Sequence, residues 1–192
     1  MNQTDRDGVN AAPPQAVGGS PLPFFRACGY NTYQYWDLGW ATRPSHHAAL
    51  ATLAAQLRAW GLALPAVEPL VLDFGLGDFA KTGLIEYWVA NEVAAGYCGK
   101  FLFLFDGQTC PRHHHREKLE TFFIVKGEVE MDCRGERRRL RAGDVLRVEC
   151  GEPHEFRGVG PALILEVSRP CVLADNYFAD RRIPIGGNYA GP

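Results

Sequence analysis

Three side chains able to ligate a metal, His113, His115 and Glu120, stand close together just ahead of the apolar run Phe122-Phe123-Ile124-Val125. A second block, from Gly143-Asp144 to Glu152-Pro153-His154, offers a fourth. Four of the chain's six histidines lie in these two blocks. Imidazole nitrogens combined with a carboxylate suit a divalent transition metal that keeps coordination positions open for a substrate. The function is therefore expected in this constellation rather than in the fold around it.

Alternation decides whether these groups can meet. His113 and His115 are two apart, so on an extended backbone both leave the same face. Lys118, Glu120, Phe122 and Ile124 share a face by the same rule. If that face lines a barrel, Lys118 and Glu120 lie at a polar mouth and Phe122 and Ile124 lie deeper. A carboxylate and a lysine buried there would cost several kcal/mol uncompensated, and an adjacent cation compensates the carboxylate. A histidine-rich surface turn would leave Glu120 and His154 unexplained. Cys110 precedes His113 closely, but Pro111 holds it extended, and it reads as a packing residue.

The elements that would position this site are mostly strands. Leu84 to Val93, Gly99 to Phe105, Glu120 to Val125 and Ala162 to Ser168 are rich in β-formers and bounded by turn residues. Val129, Met131 and Cys133 alternate with acidic residues, and Leu146, Val148 and Cys150 alternate with Arg147 and Glu149, as half-buried strands do. Many short strands with turns between them predict a mainly β chain folded as an antiparallel sandwich or barrel. Ahead of them, residues 1–23 read as a flexible tail and residues 24–70 as an arm with one helix. The arm begins with Phe24, Phe25, Tyr30, Tyr33, Tyr35, Trp36 and Trp40, expected to lie over the core or over a neighbouring subunit. Ser45 reads as an N-cap for a helix over His46 to Trp60, with Leu50, Leu53, Ala54, Leu57 and Trp60 on one face and Gly61 as the stop. His46 and His47, in the first turn, read as surface residues. The β-barrel is assigned to 71–185 and a C-terminal tail to 186–192.

Composition narrows the classes. The chain has 192 residues and a formal net charge of -2, which gives no electrostatic case for nucleic acid or an anionic membrane as partner. Its longest apolar run, Phe101 to Phe105, is too short to span a bilayer, no secretory signal is visible, and a cytoplasmic address is expected. Six scattered cysteines, Cys28, Cys98, Cys110, Cys133, Cys150 and Cys171, read as reduced and mostly buried thiols. Gly75 to Thr82 comes near a phosphate-binding loop, but Ala80 stands where glycine is needed, so a turn is expected. Arg134, Arg137, Arg138, Arg139 and Arg141 fall on a predicted hairpin and read as a solvated face or a subunit contact.

Gly107, His113, His115, Glu120 and Gly127 together resemble the first motif of the cupin superfamily, and Gly143-Asp144 to Pro153-His154 resembles the second. That resemblance implies a jelly-roll barrel holding a metal on His113, His115, Glu120 and His154. Leu72-Asp73-Phe74-Gly75, Gly77-Asp78-Phe79, Lys81-Thr82-Gly83-Leu84, Tyr97-Cys98-Gly99-Lys100, Gly107 to Pro111, Lys118, Glu166-Val167-Ser168 and Asp175-Asn176-Tyr177-Phe178 resemble the D-lyxose ketol-isomerase family more narrowly. The likeness runs from about Leu64 to Ile183. It departs at the N-terminal arm, at Thr121-Phe122-Phe123, and at Gly186 to Pro192, which lacks an acidic ending. It implies manganese as the ion, with Fe, Co, Ni or Zn also compatible with the donors. It also places Lys100, Lys118 and Glu166 near the metal and puts Lys100 and Asp175 among the substrate contacts.

The chemistry implied is aldose–ketose interconversion on a D-sugar such as D-lyxose/D-xylulose or D-mannose/D-fructose. That reaction moves a hydrogen between C1 and C2, by proton transfer or by hydride shift, and the proton route needs a base for the carbon-bound proton and an acid for the oxygen. Glu166 is the candidate base, and Lys100 or Lys118 the candidate donors, their pKa expected to fall beside a cation. From the strand pattern alone, Glu166 and Lys100 could face solvent or the interior. Two other readings stand: an Fe(II)-dependent cupin dioxygenase, and a non-catalytic sugar-binding cupin. A homodimer is expected, since the aromatic arm and exposed sheet edges need covering.

Overall fold

The computed structural model describes residues 44–188. The tail at 1–23, the aromatic segment with Cys28, and residues 189–192 lie outside the described residues.

One helix, α1 (Pro44–Trp60), precedes the strands. Ala49, Leu53 and Leu57 form its buried face, with Leu50 and Trp60 partly covered, as the helical spacing predicts. Gly61 ends it in the left-handed region, at φ 65°, with its N–H on the Arg58 carbonyl. Ser45 lies within the helix rather than at its cap. His47 is exposed, but the surface reading of His46 is corrected: it is buried against Phe79, and neither ring nitrogen has a hydrogen-bond partner among the described residues.

Nine strands follow: β1 (Leu70–Leu72), β2 (Leu84–Glu92), β3 (Tyr97–Leu104), β4 (Thr109–His114), β5 (Glu120–Cys133), β6 (Glu136–Arg141), β7 (Val145–Val148), β8 (His154–Ser168) and β9 (Tyr177–Phe178). They form one curled sheet in which all strand pairs are antiparallel. The long strand β8 organises it. Along one edge its first half pairs with β4 and its second half with β3, and along the other edge it runs beside β5. β5 in turn pairs with β7 by its first half and with β6 by its second. Each long strand thus serves two half-sheets, and this wraps the sheet around an interior, as in a cupin jelly roll.

The sequence suggested separate strands before and after Gly127, but they are one element bent there, with register shifts on both sides of Lys126. Gly127 sits at φ 75°, and a Cβ on it would lie 2.1 Å from the Pro161 carbonyl oxygen. Only glycine lets β5 fold against β8 this closely.

The curl divides most apolar residues into two cores, with Trp88, Cys98 and Cys171 as a small third cluster. Leu72, Leu84, Leu102, Phe122, Ile124, Met131, Phe156 and Ile164 fill the interior. Val71, Ile85, Phe103 and Leu163 leave the opposite face of the sheet and pack under α1. Cys98, Cys110, Cys133 and Cys171 are buried, but Cys150 is exposed, because β7 ends at Val148 and leaves it in a turn. Residues 73–82 form turns, as expected. The arginine hairpin is solvent-facing and paired with acidic neighbours, such as Arg137 with Glu130 at 3.1 Å and Arg134 with Glu152 at 2.7 Å.

Candidate metal centre

Strand register assembles the site. His113 of β4 lies opposite His154 of β8, and Lys100 of β3 lies opposite Glu166 of β8. Phe122 of β5 faces the same Glu166 from the other edge, so Glu120, one alternation earlier, points into the same interior. His115 follows β4 by one residue and keeps the inward face. One ligand atom from each of His113, His115, Glu120 and His154 lies within 4.8 Å of the others, and all four residues are buried.

The outer ring nitrogens are all committed. His113 Nδ1 is 2.8 Å from the Pro111 carbonyl, His115 Nδ1 is 2.9 Å from the Asp175 carbonyl, and His154 Nδ1 is 3.1 Å from the Glu152 carbonyl. A carbonyl oxygen only accepts, so Nδ1 carries the proton in each ring and Nε2 presents a lone pair to the centre. Burial, followed by His154 and His115, pushes the His113 pKa well below that of an ordinary imidazole, which keeps its lone pair free. Yet His154 Nε2 stands 3.1 Å from Glu120 Oε2, and His115 Nε2 stands 3.4 Å from Glu120 Oε1. With the rings neutral these are acceptors facing acceptors. His115 Nε2, His154 Nε2 and Glu120 Oε2 are also buried without a hydrogen-bond partner. Such contacts are unfavourable unless a positive charge lies between them. Three imidazoles and one carboxylate therefore fit a divalent transition cation.

A chain of buried charges adjoins the four donors. Lys118 Nζ donates to Glu120 Oε1 at 2.7 Å and lies 2.5 Å from Glu166 Oε1. Lys100 Nζ lies 3.5 Å from Glu166 Oε2 and donates to Glu86 Oε1 at 2.8 Å. Ser168 Oγ also donates to Glu166, at 2.8 Å. Burial opposes ionising Glu166, but Lys100 and Lys118 outweigh it and hold its pKa below the usual carboxylate value. Burial likewise opposes charging the lysines. For Lys118 the carboxylates Glu120 and Glu166 outweigh it, and for Lys100 Glu166 and Glu86 do, so both pKa values are held above an ordinary lysine. The protein's own charges thus act opposite to the depression expected from a cation alone.

The structure brings His113, His115, Lys118, Glu120, Glu166 and Lys100 to the wall of one central cavity, with His154 beside them in contact with Glu120 and Phe122. Its open space is small, about 30 Å³, room for roughly two waters. Asp175, expected among the substrate contacts, is absent from that wall. Its carboxylate accepts the backbone N–H groups of Arg116, Glu117 and Lys118, and its carbonyl anchors His115. These bonds clamp the loop between β4 and β5. Sequence reasoning missed Glu86, which lines the cavity and pairs with Lys100. The available signal was the acid between Leu84 and Trp88, at a spacing that puts all three on one face of β2.

Residues 103–168 match the cupin domain family. The chain is 44% identical over 73 residues to D-lyxose/D-mannose isomerase of Thermosediminibacter oceani, covering 35% of this chain and 39% of that protein. It is 39% identical over 93 residues to D-lyxose ketol-isomerase of Cohnella laeviribosi, covering 44% of this chain and 50% of that protein. A third match, to D-lyxose ketol-isomerase of a Thermofilum species, is 32% identical over 146 residues and covers 59% of this chain and 79% of that protein. The first two matches thus span half or less of those relatives' length. Among solved structures, L-ribose isomerase of Geodermatophilus obscurus superposes with a TM-score of 0.60 over 73% of this chain and 93% of that one. At 19% identity that likeness speaks for the fold alone.

Proposed function

The chain belongs to the D-lyxose ketol-isomerase family of cupins, and we propose that it is a metal-dependent aldose–ketose isomerase acting on D-lyxose or D-mannose. Manganese is the proposed ion. The observation that carries the reading is Glu166: a carboxylate buried between Lys100 and Lys118, and linked through Lys118 to the ligand Glu120.

A divalent cation on His113, His115, Glu120 and His154 would polarise the sugar carbonyl and gather O1 and O2. Isomerisation then transfers one proton from C2 to C1 and another from O2 to O1. Glu166, ionised and shielded from water, is placed to carry the carbon-bound proton. The lysines, held charged by carboxylates, are placed to donate to whichever oxygen gains negative charge. Leu72, Phe74, Leu84 and Leu102 line the same cavity and would exclude water from the reacting carbons. A cavity this small must yield to admit a sugar. The charged lining also distinguishes this reading from an oxygen-activating iron enzyme, whose pocket would be more apolar.

The test is anaerobic incubation of the Mn(II)-loaded protein with D-lyxose and D-mannose in D2O, with ketose assay and elemental analysis. Ketose carrying solvent deuterium at C1 is expected. Turnover that requires O2, or no ketose from any aldose in a panel, sinks the proposal.

A further inference from the structure

The fifth charged residue of the cavity, Glu86, belongs to no ligand set and carries no step above. We propose that Glu86 is a positioning residue that acts on the reaction through Lys100, an inference that rests on the isomerase reading.

Both oxygens of Glu86 are committed. Oε1 accepts from Lys100 Nζ at 2.8 Å, and Oε2 accepts from the Trp88 indole N–H at 2.9 Å. Trp88 lies opposite Lys100 in the β2–β3 register, and the Lys100 ammonium sits 4.8 Å above its ring centroid. The indole therefore holds both members of the pair, one through its N–H and the other through its face. All three side chains are buried. Two rotatable long chains are thereby reduced to one geometry before any substrate arrives.

The consequence lies in what Lys100 would otherwise do. Glu166 already has Lys118 at 2.5 Å and Ser168 at 2.8 Å, whereas Lys100 stands off at 3.5 Å. Without Glu86, the nearest carboxylate for the Lys100 ammonium is Glu166 itself. Closing that gap would occupy the second oxygen of the proton carrier and turn Nζ away from the sugar. Glu86 holds Lys100 back, keeping one oxygen of Glu166 available and one ammonium aimed at substrate.

The test compares Glu86→Gln, Lys100→Met and the double variant, each full-length and Mn(II)-loaded. Glu86→Gln should lower kcat by about 10- to 100-fold, the range for losing a charged hydrogen bond, with Mn stoichiometry unchanged and KM moving far less. A residue acting only through Lys100 adds nothing once Lys100 is gone, so the double variant should match Lys100→Met. The Trp88 indole N–H resonance, identified by its loss in Trp88→Phe, should shift in both single variants. Should Glu86→Gln not fold, Trp88→Phe takes its place, with a several-fold loss that Lys100→Met suppresses. Wild-type turnover in the variant under test, an unmoved indole resonance in Glu86→Gln, or losses that multiply in the double variant overturn the proposal while leaving the isomerase reading intact. No turnover by the wild type overturns both.

Discussion

Replacing Glu166 by Gln separates chemistry from metal binding. The side chain keeps its size, its place in β8 opposite Lys100, and an oxygen to accept from Lys118 or Ser168. It is not among the four donors, so the ion should remain. What disappears is the proton acceptor. Positioned general bases contribute about 10²- to 10⁴-fold, so kcat on D-lyxose should fall by roughly that factor with Mn content unchanged. The neighbouring Ser168→Ala gives a graded control. It removes one hydrogen bond to the same carboxylate, worth about 1.5–3 kcal/mol for a charged acceptor, so activity should fall roughly 10- to 100-fold. The assay is ketose formation on protein whose metal has been quantified by elemental analysis. Wild-type activity in Glu166→Gln refutes the assignment of the base. Loss of the metal would instead show that the buried charges act as one cluster and that the roles cannot be separated.

Four further outcomes follow from the geometry. Metal removal should destabilise the protein: an ion present at about 100 times its Kd stabilises by about 2.7 kcal/mol, which at this size is roughly 5–10 °C in Tm. Thermal melts with and without chelator check this, and His154→Ala should show no such difference. Because the folded site depresses the His113 pKa, the unfolded chain takes up a proton that the folded site refuses, so metal-free stability should fall as pH drops below the ordinary imidazole value of about 6.5. Asp175→Ala should lower Tm and metal affinity, since three amides lose their acceptor, while leaving the KM of loaded enzyme near wild type; a large KM effect would restore Asp175 as a substrate contact. The outer face beside α1 leaves Val145 62% and Val167 55% exposed, next to Phe123. We expect a second copy to cover it, so Val167→Arg should turn a dimer into a monomer by light scattering, and a monomeric wild type would exclude that interface.

How legible the molecule was differs by element. Strands facing one core announced themselves by alternation: Val129, Met131 and Cys133 are inward, as the pattern required. The candidate ligands His113 and His115 could be set on one face because two-residue spacing fixes a face without knowledge of the tertiary fold, whereas the full set with Glu120 and His154 was implied by the cupin resemblance. Glu166 and Lys100 could not be placed this way, because the runs next to them, Ala162 to Leu165 and Phe101 to Phe105, are apolar at every position. There the core lies on one side and α1 covers Phe103 and Leu163 on the other. A strand buried on both faces loses the alternation that would orient a lone charge. Register supplied what pattern could not, by setting Lys100 against Glu166. The backbone role of Asp175 was not legible because a carboxylate that caps three backbone amides looks, in sequence, like one waiting for a ligand. His46 failed for a related reason: the ring of Phe79, which buries it, comes from a turn far along the chain.

Electrostatic balance links the fold to the chemistry. The cavity wall carries three carboxylates, Glu86, Glu120 and Glu166, against two ammonium groups, Lys100 and Lys118. Protein alone thus leaves an excess negative charge in an apolar interior, beside lone pairs that face one another at 3.1 Å. Burying unbalanced charge costs far more than any single packing contact returns. A divalent ion would reverse the sign, giving a site one charge positive, suited to hold the proposed sugar substrate, whose oxygens would gain negative charge during reaction. Each lysine bridges two carboxylates, so neither can swing to neutralise the excess alone. A bound cation would therefore stabilise this polar interior. Of these three carboxylates, Glu166 is the one that is neither a candidate ligand nor bonded to the Trp88 indole.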